Sequence, residues 1–243
     1  QWCEKYGDLD DDLLIEYERK NSTGLFHQGW KDSREDHLRL KSPVELVEVQ
    51  GYYYAALHEA SEFALMLKDE VFSKHLKERR DALKKEVNKK FWLPEKNFFA
   101  TALSESKVAD NRITSNPGHL LFSGILDGED DKIKAVVDRL FQSDMWTLYG
   151  IRTHAESNPD FNPMSYHLGS IWPHDNWIIA QGLKKYGYDR EYKMIKTALL
   201  NIYQTLGEIP ELYAVINGKI EKIPVACSPQ AWSSGALLNF LLN

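Results

Sequence analysis

Apolar positions along the chain recur mostly at helical spacing, and the helical segments come in two kinds. Residues 42–67, "SPVELVEVQGYYYAALHEASEFALML", are apolar almost all round, as in a helix buried on most sides. Ser42 is placed to cap this helix, with Pro43 at its first position and Glu45 in a capping box. Residues 69–92 are the opposite: Val71, Phe72, Leu76, Leu83, Val87 and Phe91 make one stripe on a charged helix. The alternation returns twice. Residues 115–126 are apolar and 131–142 amphipathic; residues 172–187 are largely apolar and 190–208 amphipathic. Residues 228–242, "SPQAWSSGALLNFLL", close the chain as an apolar helix with Ser228 as cap and Pro229 at its start. Strand patterns are few. They are "FFATAL" near residue 100 and "LYAVINGKIEKIPV", where Asn217-Gly218 predicts a hairpin turn.

Inner-type helices followed by outer-type helices predict an all-α toroid of helical hairpins, with a small β-hairpin in a loop. The segments between one hairpin and the next are long, aromatic and rich in Gly and Pro: 21–42, 93–114, 143–171 and 207–227. Long loops of this kind usually carry function, so candidate chemistry is expected there.

The bulk numbers narrow the class. The net charge of −6 and the absence of a basic cluster off a helix face argue against nucleic acid as a partner. No apolar run is long enough to cross a membrane. The first residues are acidic and lack the apolar stretch of a secretory signal, and Cys3 and Cys227 follow no metal spacing. A reduced, cytoplasmic protein is expected. The chain has seven Trp, twelve Tyr and ten Phe, several of them beside Gly, Pro or a carboxylate, an association that suits sugar binding.

Carboxylates on aromatic loops are the leading chemistry. Glycoside hydrolysis needs two: one protonated to donate to the leaving oxygen, one ionised to activate water or attack the sugar. Asp32 in "GWKDS" follows Trp30, and Glu211 in "IPELY" lies between Pro210 and Tyr213. Aromatic shielding would desolvate both. Alternatively, Asp32 caps a turn and Glu211 is a surface residue at a strand edge. On the 42–67 helix, Glu45, Glu48 and Tyr52 share one face of an otherwise apolar helix, so that face is expected to meet polar partners. A metal site assembled from His154, His167, His174, Glu156 and Asp175 matches no ligand spacing. "GDLDDDLLIEYE" (Gly7 to Glu18) is only loosely like a calcium loop, because the turn Gly and the terminal Glu are missing. No metal or cofactor is therefore expected.

Four blocks, "GDLDDDLLIEYERKNSTGLFHQGWKDS", "PVELVEVQGYYYAAL", "YHLGSIWPHDNWIIAQGLKKYG" and "IPELYAVINGKIEKIPVACSPQAWSSGALL", together resemble the C-terminal part of microbial glycogen-debranching (amylo-α-1,6-glucosidase-like) enzymes. These belong to the wider clan of inverting glucosidases on an (α/α)6 barrel. The resemblance implies that Asp32 is the general acid and Glu211 the general base. It also implies that Gln28, Trp30, His167 and Trp172 line the sugar pocket and that Trp232 closes its far wall. The substrate would be an oligo- or polysaccharide α-glucan. Alternatives are a small-substrate glycosidase of the trehalase type or a non-catalytic glucan-binding or structural part of a debranching enzyme. Fewer helical segments are visible than six hairpins need, so a single, incomplete toroid is expected, with a second chain or self-association covering its open seam.

Overall fold

The structure, a computed structural model, describes residues 2–32 and 40–242. In chain order the elements are α1 (Trp2–Tyr6), β1 (Glu45–Leu46), α2 (Val47–Met66), α3 (Glu70–Lys90), β2 (Trp92–Leu93), β3 (Phe98–Phe99) and β4 (Ala102–Leu103). They continue with α4 (His119–Ser123), α5 (Asp130–Leu140), β5 (Trp146–Thr147), β6 (Gly150–Ile151), α6 (Pro173–Lys185), α7 (Asp189–Leu206), β7 (Tyr213–Ile216), β8 (Lys219–Lys222) and α8 (Ala231–Leu242). No described helix is long and apolar enough to cross a membrane. The chain divides into two compact units, Gln1–Asn111 with Ser123–Lys132, and Arg112–Phe122 with Ile133–Asn243.

The first unit is built on the α2–α3 hairpin. Asp69 caps α3 by accepting a hydrogen bond from the Phe72 amide at 3.0 Å. Leu76, Leu83, Val87 and Phe91 are buried as the stripe predicts, but Val71 and Phe72, in the first turn, are exposed. The start of α2 differs from expectation. Ser42 does not cap it and Glu45 forms no capping box; the helix begins at Val47. Residues 44–46 are extended instead. Val44 exchanges backbone hydrogen bonds with Tyr17, Glu45–Leu46 pairs with Leu103–Ala102, and the Val47 amide donates to Thr101 O at 3.0 Å. The ribbon satisfies these backbone groups and buries Val44 and Leu46, which outweighs a helix start. Gln50 then works as a surrogate strand: its amide accepts from Ile15 N and donates to Ile15 O, both at 2.7 Å. The C-terminal turns of α2 are not buried all round, since Phe63 and Met66 are exposed.

The second unit is built on the α6–α7 hairpin, with α8 packed against α6. Pro173 stands in the first turn of α6. Gly182 lets the α6 backbone approach residues 121–122: a Cβ there would lie 2.5 Å from Leu121 Cβ and 2.6 Å from Phe122 N. The β7–β8 hairpin turns at Asn217 (φ 50°) and Gly218 (φ 73°), the two positive angles that the Asn-Gly pair predicts. "FFATAL" is not one strand. Its two ends pair separately, Phe98–Phe99 with β2 and Ala102–Leu103 with β1. The β5–β6 hairpin is unforeseen because its turn carries no Asn-Gly signal; Thr147 Oγ1 closes it by donating to Gly150 O and accepting from Tyr149 N. In α8 the helix begins at Ala231, not Ser228, and Leu238, Leu241 and Leu242 are exposed.

Candidate active site

The residues implied as a site fall into two groups, Gln28, Trp30 and Asp32 in the first unit and His167, Trp172, Glu211 and Trp232 in the second. Within each unit they are brought together.

In the first unit, residues 27–32 form a loop against the start of α2. A Cβ at Gly29 would lie 2.3 Å from Leu46 Cδ1 and 3.1 Å from Glu48 Oε1, so the chain passes closely over these side chains. His27 and Glu48 are buried beneath it. Trp30 is half-buried, with Lys31 Nζ 5.1 Å from its ring centroid, and Lys31 is buried. Gln28 and Asp32 are exposed, so the aromatic shielding expected for Asp32 is not found. Of the polar face on α2, Glu48 is fully buried, whereas Glu45 belongs to β1 and accepts from Lys107.

In the second unit the chain makes a more elaborate site. Ile171 and Tyr213 exchange backbone hydrogen bonds at 2.8 and 3.0 Å, which sets the 166–172 segment beside the segment entering β7. Buried Arg152 ties the same two segments by donating to Gly169 O and Val215 O. Glu211, at the entry to β7, is buried, not a surface residue. Its Oε1 accepts from the Tyr166 hydroxyl at 2.7 Å and its Oε2 from the Cys227 amide at 3.1 Å; Gln230 Nε2 is 3.5 Å from Oε1. In return the Glu211 amide donates to Cys227 O at 2.8 Å.

Tyr166 also fixes the aromatic wall. Its carbonyl accepts from Trp172 Nε1 at 2.8 Å and from Ser170 Oγ at 2.6 Å. Trp172 stacks on His167, with centroids 4.9 Å apart, and meets Tyr166 edge-on at 4.8 Å. Trp232 stacks on His174 at 3.8 Å with the rings 8° from parallel, and remains 44% exposed, so one face is offered outward. Burial holds the His174 imidazole down to about 4, with His119 adding to the effect and Asp175 opposing it. Beneath the wall, His119 Nε2 and Asp175 Oδ1 are 2.7 Å apart and fully buried. Tyr166, His174, Cys227 and Gln230 were not among the expected site residues. Tyr166 and His174 lie in a block that the sequence marks as aromatic; the Cys227 contact is made by backbone and has no side-chain signal.

The five-residue metal set does not assemble among the described residues. His154 pairs with Asp160, Glu156 with Arg152, Asp175 with His119, and His174 and His167 are stacked on tryptophans.

Comparison with known proteins identifies the family and the fold. The sequence profile of the mannosylglycerate hydrolase MGH1-like glycoside hydrolase domain matches residues 10–233. Mannosylglycerate hydrolase MGH1 of Selaginella moellendorffii is 31% identical over 98 residues, covering 40% of this chain and 20% of that protein. The GH63 mannosylglycerate hydrolase of Thermus thermophilus, solved with glucose, superposes with a TM-score of 0.67 at 20% identity, over 84% of this chain and 49% of that one. Neutral trehalase Nth1 of Saccharomyces cerevisiae superposes with a TM-score of 0.64 at 16% identity, over 82% of this chain and 38% of that one. The chain thus spans about half the length of the Thermus protein. These likenesses show an all-α fold of the six-hairpin (α/α) toroid class with small β-hairpins. The debranching resemblance holds at the level of that shared architecture, and the profile places the sequence on another of its branches. The chain belongs to the mannosylglycerate hydrolase MGH1-like glycoside hydrolase family.

Proposed function

We propose that this chain takes part in inverting hydrolysis of a small glycoside with a glycerate-like aglycone, with Glu211 as general base and Asp32 as general acid. The observation that carries the reading is the setting of Glu211. A buried carboxylate with a donor on each oxygen, beside a wall of stacked aromatic rings, is equipped to take a proton from a water held over a sugar. Trp232, which is exposed, supplies a ring face for the apolar side of a pyranose; Trp172 and His167 are buried and pack behind it rather than meeting a sugar themselves. Gln28 and Trp30 sit next to the acid for the leaving group. Inversion requires the two carboxyl groups to stand about 6.5–9.5 Å apart in the working enzyme, leaving room for the water. The chemistry needs two carboxyl groups and water and no cofactor. The aglycone is taken from the family and its named relatives; the short-substrate reading is preferred over an α-glucan for that reason.

Hydrolysis of mannosylglycerate, glucosylglycerate, maltotriose and panose by the chain, with the first-formed anomer followed by proton NMR, tests this. Release of the inverted anomer from the glycerates is expected. Glu211→Gln and Asp32→Asn should each lower kcat by about 10²–10⁴-fold while sugar binding persists. Preference for maltotriose or panose would return the substrate to the α-glucans, and full activity in either variant would overturn the assignment of that residue.

A further inference from the structure

A tryptophan offers a sugar a useful face only if the ring is held still. Trp232 stands in the first turn of α8 and is 44% exposed. The torsion that turns an indole about its Cβ–Cγ bond is broad, so an exposed ring on a helix end swings. Stilling it at the moment of binding costs affinity. Here one face of the ring is already backed. His174 lies against it, with centroids 3.8 Å apart and the rings 8° from parallel. Trp172 meets both from the side, edge-on to Trp232 at 5.9 Å and to His174 at 5.5 Å. The three rings make a corner in which Trp232 can neither tilt toward His174 nor slide past Trp172.

The backing ring is itself anchored. His174 belongs to the first turn of α6. Asn176, on the same turn, accepts from Ile151 N at 2.7 Å and donates to Ile151 O at 2.9 Å. Trp172, just before it, donates from Nε1 to Tyr166 O at 2.8 Å. Asp175, the neighbour of His174 in the chain, is committed to His119. His174 is 7% exposed, and burial holds its pKa down to about 4, so the ring is neutral at ordinary pH. The contact is therefore ring on ring and not a cation over a ring; it asks of position 174 a flat surface and nothing else.

The corner is also in register with the carboxylate. Trp232 sits between two residues that touch Glu211. Gln230 Nε2 is 3.5 Å from Glu211 Oε1, and buried Ser233 donates to Glu211 O at 3.5 Å. A ring fixed against α6 at one end of this segment is thus fixed relative to the proposed base.

On the reading of Trp232 as a sugar face, we propose that His174 is a positioning residue that pre-organises the Trp232 ring, acting on substrate affinity and not on the chemical step. No sugar touches the imidazole; its work is done through the indole in front of it.

Binding of mannosylglycerate and glucosylglycerate to the Glu211→Gln variant, followed by calorimetry, tests this without turnover. His174→Leu, which fills the space without a flat ring, should raise Kd by about three- to tenfold, the scale of one aromatic pair. His174→Phe should stay within about twofold of the parent. With Glu211 restored, KM should rise with Kd in His174→Leu while kcat changes by less than about twofold, the mark of lost uniform binding. In a Trp232→Leu background, His174→Leu should add nothing further. His174→Met serves if His174→Leu does not fold. Unchanged Kd in His174→Leu, equal weakening in His174→Phe, or additive losses with Trp232→Leu would overturn the role. One readout needs no sugar: the indole N–H resonance of Trp232, assigned by its loss in Trp232→Leu, should broaden in His174→Leu and not in His174→Phe. A sharp, unmoved resonance in His174→Leu overturns the support by His174 whatever binds. A broadened resonance with no sugar bound by Glu211→Gln instead sinks the glycosidase reading of the site.

Discussion

Glu211 is hidden from water and then supplied with two donors of different kinds, a phenol on one oxygen and a backbone amide on the other. The sequence marks Glu211 as a candidate through its aromatic neighbourhood, but not its partners, because Tyr166 lies 45 residues and Cys227 16 residues away. The sequence marks Asp32 as a candidate in the same way, but not its exposure, since shielding depends on packing that no local pattern records. His174 gives the residue scale its own prediction. Its folded imidazole titrates at about 4, against an ordinary 6.5. The unfolded chain therefore takes up a proton that the folded chain refuses, and the contribution is fully present above about 6.5 and is lost as pH falls toward 4. Urea unfolding across that window should show His174→Asn losing less stability on acidification than the parent; equal losses would refute the burial of a neutral ring.

At the scale of elements, the helices were readable because apolar spacing is a local signal, as is the Asn217-Gly218 turn that joins β7 to β8. The caps were not, since Ser42 and Ser228 do not start α2 and α8, and Asp69, which the spacing does not single out, caps α3. The first five residues assigned to the 42–67 helix are not helical because Val44 and Leu46 find strand partners 27 and 56 residues distant, which no window along the chain can see. The α6 helix carries a tighter constraint than its composition shows. Gly182 faces the backbone of residues 121–122, and backbone cannot step aside as the tip of a side chain can. Gly182→Ala should lower the unfolding free energy by about 1–3 kcal/mol, although Ala is the better helix former. A rise in Cm for this variant would show that the two segments are not in contact.

The whole molecule presents apolar side chains that a finished surface normally covers. Leu238, Leu241 and Leu242 of α8 are exposed, and Tyr203 and Leu237 help line an adjacent groove of about 580 Å³. The helical pattern predicted that these positions would be apolar; it could not say that they would face outward, because periodicity records one face and not what meets it. The chain by itself should bind an environment-sensitive dye, and Leu238→Lys with Leu241→Lys should suppress the signal without changing the far-UV circular dichroism. Absence of dye binding in the parent would mean that α8 is covered. The hold on Glu211 has a different sort of consequence. Half of it comes from the main chain at position 227, so any amino acid but proline, which is barred by its missing N–H, could stand there and still make it. Comparing letters column by column among kin would pass over that position, and an engineer could exchange the cysteine for a sturdier residue without loosening the grip.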